Sequence, residues 1–225
     1  MNNKNTAIDN HKANQDKKII SYIKADIEDH SNTKRNPGMD FQLDKISNIS
    51  INRSAIERRC KNYGVRRSIK KDKQAAWLLK AITLIDLTTL SGDDTEARVR
   101  RLCSKAKKPL NPTLSKALGI DSLNLGVAAI CVYHDMLSAA KKNLVDSKIN
   151  LAAVSTGFPA GLSPLPLRLQ EIEYSVASGA NEIDIVISRR HVLEGNWQEL
   201  YNEVKSFREK CGEAHMKTIL ATGEL

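Results

Sequence analysis

Beyond residue 80, short continuous apolar runs alternate with stretches of helical spacing. Ala81–Thr88 reads as a β-rich run. A helix follows, opening at Asp93 with Glu96 three positions on. Val99, Leu102, Cys103 and Ala106 form its apolar stripe, and Pro109 ends it. Val127–Tyr133 is a second strand, followed by a helix through Leu137, Ala140 and Leu144. Leu151–Phe158 is a third, with a helix over Pro166–Ser178 stopped by Gly179. Glu182–Ser188 is a fourth. Asn196 then caps a helix with Leu200, Val204 and Phe207 facing inward, and Gly212 ends it. Met216–Ala221 is a fifth strand.

Strands alternating with helices imply right-handed crossovers and a parallel sheet. Nearly unbroken apolar strands fit a sheet covered on both faces. An open doubly wound sheet and a (β/α)8 barrel both satisfy this pattern. The first strand-to-helix turn, Thr89 to Asp94, is acidic and lacks the glycine-rich dinucleotide fingerprint. Polar residues inside several different strands favour the barrel, whose interior lets them meet.

The first eighty residues have another character. Residues 1–40 are rich in Asn, Lys, Asp and His and predict a largely disordered polar tail, with one weak helical turn around Ile19–Ile23. Residues 41–80 predict a helical extension. Ser54-Ala55-Ile56-Glu57 has capping-box form, Gly64 is a stop, and Asp72 opens an apolar helix through Leu79. Residues 81–225 form the remaining domain.

The formal charge of +9 sits entirely in the first part: residues 1–80 carry 18 Lys and Arg against 9 Asp and Glu, while the rest balances. The densest stretch is Arg53–Lys73. A solvated helix face is the simpler reading, and no aromatics interleave as single-stranded nucleic acid would require, so nucleic-acid binding is not expected. Four scattered cysteines without a C-x-x-C pair argue for reduced thiols and a cytoplasmic location. No apolar stretch reaches membrane-spanning length. The five histidines lack a helical i, i+4 pair, and no metal site is expected.

Asp86, Asp184 and Lys217 each lie inside a predicted buried strand. An unpartnered buried charge is costly, so such groups pair or serve function. In one barrel interior they would share a small volume and shift one another's pKa values. A buried ion pair that only fixes geometry explains the same pattern. Cys131 reads most simply as a small buried thiol, and Gly157-Phe158-Pro159-Ala160-Gly161 as a turn that could also approach a phosphate.

Together these segments resemble the deoxyribose-phosphate aldolases. The resemblance is carried by Ile85-Asp86-Leu87-Thr88-Thr89-Leu90-Ser91-Gly92-Asp93-Asp94-Thr95, Ala129–Tyr133, Gly157–Gly161, Gly179–Ile187 and Lys217–Leu225, with Gln74–Lys80 similar to the animal-type branch. It covers roughly residues 42–225. It implies a (β/α)8 barrel and a class I aldolase without cofactor. Such an enzyme cleaves 2-deoxy-D-ribose 5-phosphate to D-glyceraldehyde 3-phosphate and acetaldehyde through a lysine Schiff base. Carried over by position, Asp184 is the catalytic proton-relay carboxylate. Asp86, Thr88 and Cys131 line the substrate pocket, and Lys217 lies close to the reaction centre without being the imine lysine. His134 stands where the family has proline.

The expected fold class is therefore α/β of (β/α)8 TIM-barrel type. About five βα units fall within these residues, behind N-terminal helices and the basic tail. In the family the Schiff-base lysine lies on strand six and a second lysine on strand seven, and no stretch here matches either. A full barrel takes about 250 residues. The chain is accordingly expected to be a C-terminally truncated form. It should expose its edge strands, fold marginally and lack cleavage activity alone. The partner expected is a small phosphorylated sugar, with a homo-oligomer left open. The competing reading is a non-catalytic interaction protein that uses residues 53–73 to bind RNA or a protein.

Overall fold

The computed structural model describes residues 20–21, 38–66 and 68–225, so most of the expected tail lies outside the described residues. The chain divides into two units, residues 1–80 and 81–225.

The first unit holds short helices α1 (Asp44–Ser47) and α2 (Arg53–Tyr63), and the body of α3 (Lys71–Ile82). The cap of α2 is Asn52, whose side-chain oxygen accepts from the Ala55 amide at 3.0 Å. The expected capping box at Ser54 is thus displaced by two residues. Asn52 is the first side chain at the turn able to reach an orphan amide. No residue of α2 is buried.

The second unit contains five strands: β1 (Asp86–Thr88), β2 (Ala129–Tyr133), β3 (Asn150–Val154), β4 (Glu182–Val186) and β5 (His215–Ile219). They pair in parallel in chain order, β1-β2-β3-β4-β5. Sequential neighbours with helical crossovers are the arrangement of a barrel wall rather than of a doubly wound sheet, which reverses its strand order. The connecting helices are α4 (Glu96–Lys107), α5 (Pro112–Ala117), α6 (Leu137–Asn143), α7 (Leu165–Ala177), α8 (Arg189–Leu193) and α9 (Trp197–Cys211). Among the described helices none is long and apolar enough to cross a membrane.

Several boundaries differ from expectation. The first strand is only Asp86–Thr88, because α3 continues through Ile82. Helix α4 starts at Glu96, not Asp93, because the Thr95 hydroxyl accepts the Arg98 amide at 3.3 Å and makes Thr95 the N-cap. Helices α5 and α8 had no clear periodic signal, being six and five residues long.

The period-two pattern of the strands sorts residues onto two faces. Ile130, Val132, Leu151, Ala153, Ile183 and Ile185 join the main core with Val99, Cys103 and Ala106 of α4, Leu137 and Ala140 of α6, Ile172 of α7 and Phe207 of α9. Full burial of each larger side chain contributes about 1.5–3 kcal/mol. On the opposite, inner face a smaller cluster forms from Ala129, Cys131, Ala152 and Val154, with Leu90, Tyr133 and Phe158 against it. Asp86, Thr88, Asn150, Glu182, Asp184 and Lys217 are in register with this second face, whereas Thr218 pairs with Ile185 on the other.

Candidate active site

The register explains how distant residues come together. Asp184 pairs with Val154 on one side and Lys217 on the other, and Glu182 with Ala152 and His215. Glu182, Asp184 and Lys217 therefore share the inner face. The Lys217 ammonium touches the Asp86 carboxylate and lies 2.9 Å from Glu182 and 3.0 Å from Asp184. The contact to Asp184 is an ion pair rather than an aligned hydrogen bond, since Asp184 Oδ1 has no hydrogen-bonding donor. Cys131, 2 % exposed, directs its thiol at Asp184 Oδ2 across 3.5 Å.

Three carboxylates around one ammonium carry an excess of negative charge in a half-buried place, and the titration behaviour follows. Burial raises the Asp184 carboxyl above the usual carboxylate range, against the opposing pull of Lys217 and the Cys131 thiol. Burial alone would lower Lys217. Its bonds to Asp86 and Glu182 and the charge of Asp184 outweigh that, and its pKa ends above that of an ordinary lysine. Burial and then the Asp184 charge push the Cys131 thiol up to about 12. Lys217 is thus a fixed cation. Asp184, whose carboxyl burial pushes upward, is the carboxyl best placed to exchange a proton.

Of the five residues picked from the sequence, Asp86, Asp184, Lys217 and Cys131 meet. Thr88 is in register with Cys131, but its hydroxyl donates to the Asp86 carbonyl at 2.9 Å and its side chain is exposed. Glu182 was missed. Its signal was its place two residues before Asp184 in a strand, which fixes both on one face. Its other oxygen accepts from the Asn150 amide at 2.6 Å.

The rim loops have structural roles. The acidic turn after β1 is an anchor: the Asp94 carboxylate accepts from the Thr89 hydroxyl at 2.8 Å and the Ser91 amide at 3.0 Å, while Arg98 bridges Asp93 and Asp94. In the loop after β3 the Gly157 amide, which could have met a phosphate, donates to Glu171 at 2.8 Å. Gly161 has φ +70°, and a Cβ there would sit 3.2 Å from the Ile187 carbonyl, so the turn needs glycine. His134 opens a short 3-10 turn and sits edge-on to Tyr133 and Tyr174, which packs the loop after β2.

Comparison with known proteins agrees with this geometry. The profile of the DeoC/LacD family aldolases matches residues 80–225. The chain is 53% identical over 190 residues to a deoxyribose-phosphate aldolase of Mus musculus and 51% identical over 192 residues to one of Homo sapiens. Each match takes in 84% of this chain and 60% of the relative, so the chain spans about three-fifths of the length of these curated relatives. Among solved structures, QR15, an aldolase, superposes with a TM-score of 0.53 at 22% identity, over 64% of this chain and 57% of that one, a likeness of fold. A five-stranded parallel wall in barrel order, an inner-face cluster of three carboxylates and a lysine, and a profile match across the whole second unit make this chain a member of the DeoC/LacD aldolase family.

Proposed function

We propose that these residues supply the β1–β5 part of an aldolase site that acts on 2-deoxy-D-ribose 5-phosphate through a lysine imine. D-glyceraldehyde 3-phosphate and acetaldehyde are the products. The names of the mouse and human relatives support the substrate. The observation that carries the reading is the Asp86–Glu182–Asp184 cluster around Lys217. Its surplus negative charge favours a cationic intermediate, and a protonated imine is one. In this scheme an amine adds to the sugar aldehyde, and the carbinolamine loses water to form the iminium. The carbon–carbon bond then breaks, leaving its electron pair in an enamine. Asp184 delivers the proton that lets water leave and takes part in the later proton return, with Cys131 and Asp86 holding its surroundings.

Lys217 is not the nucleophile in this reading. An ammonium held by three carboxylates lacks the free electron pair that attack requires. The amine that forms the imine is therefore assigned to a different residue. Borohydride reduction with deoxyribose 5-phosphate should give no adduct on Lys217, and a reduced adduct there would overturn this assignment. The aldolase reading itself is tested by a chimera in which this chain replaces the matching region of the mouse enzyme. It should cleave deoxyribose 5-phosphate and lose about 100-fold or more on Asp184→Asn. A folded but inactive chimera would refute it.

The basic helix α2, with no buried residue, favours the second reading, a non-catalytic interaction protein that binds RNA or a protein partner. Affinity for a single-stranded RNA that falls steeply with salt supports that role, and no binding at low salt removes it.

A further inference from the structure

The β3–β4 ladder stops at the Val154–Asp184 pair, although β4 runs on to Val186. Beyond that pair β3 turns away, with Thr156 at φ +61°. The backbone groups of Val186 are nevertheless buried and must find partners. Two side chains take the place of the missing strand. The Thr156 hydroxyl accepts the Val186 amide at 2.6 Å and lies 3.0 Å from its carbonyl. Arg168, on α7 and 2 % exposed, donates to that same carbonyl at 2.6 Å and to the Thr156 carbonyl at 2.8 Å.

The remaining guanidinium contacts go to Ser188 at 2.9 Å and to Glu203 of α9 at 3.0 Å, and Glu203 also accepts the Ser188 amide at 2.8 Å. A buried guanidinium needs such a counter-ion. A forked donor is required to bridge two carbonyls and a carboxylate at once, which a lysine cannot do. None of these hydrogen bonds reaches Asp86, Cys131, Glu182, Asp184 or Lys217. They hold the end of β4 two residues past Asp184.

We propose that Arg168, braced by Glu203, is a positioning residue that fixes Asp184 against Lys217 and Cys131 by clamping the ends of β3 and β4. The value of that placement for catalysis rests on the proposed function. The clamp does not, and its test needs no turnover.

The test is Arg168→Lys in the 225-residue chain, which keeps the charge opposite Glu203 but removes the fork. Glu203→Gln, which keeps the contacts to Ser188 but releases the guanidinium, is the second variant. Two readouts apply: carboxyl-carbon NMR titration of Asp184 in the presence of its neighbours Asp86, Glu182, Lys217 and Cys131, and mass-spectrometric alkylation rates of Cys131, Cys103 and Cys211. The clamp predicts that the Asp184 titration midpoint moves from its wild-type position. It also predicts that Cys131 alkylates about tenfold faster, while Cys103 and Cys211, buried in the helix-covered core, keep their rates. If all three thiols accelerate together in either variant, Arg168 serves the fold in general and the proposal fails. It fails equally if Asp184 titrates as in the wild type. An inactive chimera with an intact clamp response would refute the aldolase reading alone.

Discussion

Lys217 on β5 touches Asp86 on β1, although these strands are the two edges of the sheet. Contact between edge residues requires the inner face to be concave, so five strands already curl as a barrel wall does. The ion pair closes a chain separation of 131 residues. The chemistry and the curvature thus depend on one another.

Removing the cation should therefore be felt as stability. Lys217→Met leaves three carboxylates facing one another. With the site partly exposed, a loss of about 1–3 kcal/mol at pH 7 is expected by urea unfolding. The loss should shrink on acidification as the carboxylates protonate. Because folding raises the lysine's pKa, its contribution is complete below the ordinary value of 10.5 and disappears as pH climbs through the higher folded value. Wild-type stability should fall more steeply than the variant's in that alkaline range, the raised thiols Cys103, Cys131 and Cys211 contributing equally to both.

Asp184→Asn should behave in the opposite sense. A carboxyl whose folded pKa is raised costs no stability below its ordinary value of 3.8, and progressively more as pH rises from there through the folded value. The amide has no such dependence. The variant-minus-wild-type stability difference should grow more favourable to Asn between acidic and neutral pH, measured by denaturant midpoints across the range. A flat difference would contradict the burial-driven shift.

Thiol reactivity should rank by environment. With a pKa pushed up to about 12, Cys131 at pH 8 is thiolate in only about one molecule in 10⁴. The exposed Cys60 should label with maleimide first, and Cys131 only slowly or after unfolding. Time-resolved peptide mapping gives the order directly.

The two acids of the turn after β1 should separate cleanly. Asp93 is 72% exposed and pairs with Arg98 at the surface, where solvent screens the pair, so Asp93→Ala should leave the denaturation midpoint almost unchanged. Asp94, only 6% exposed, holds the Thr89 hydroxyl and the Ser91 amide, and Asp94→Ala should cost about 1–3 kcal/mol. Equal costs in chemical denaturation would show that the turn is not organised around Asp94.

The strand-and-helix alternation was legible because each β–α unit writes its own period, and Asp86, Asp184 and Lys217 stood out as charges within apolar runs. Glu182 did not stand out because it sits at the first position of β4, where a charge looks like a loop residue. The Arg168–Glu203 pair was invisible for a different reason. Arg168 and Glu203 lie 35 residues apart on two amphipathic helices, where charged residues are ordinary. Only the departure of β3 from β4 after Val154 creates the need for them. Helix starts were misplaced where a threonine or asparagine outside the assumed motif captured the first amides, as at Thr95 and Asn52.

The alternation Glu182-Ile183-Asp184-Ile185-Val186 also makes β4 an all-or-nothing reading frame. Inserting or deleting one residue there would turn both acids into the helix-covered layer and both isoleucines into the concave side. The same length change between α8 and α9 would be absorbed at the surface. Indels tolerated by this chain should therefore cluster in its connections, while β4 admits substitutions but no change of length.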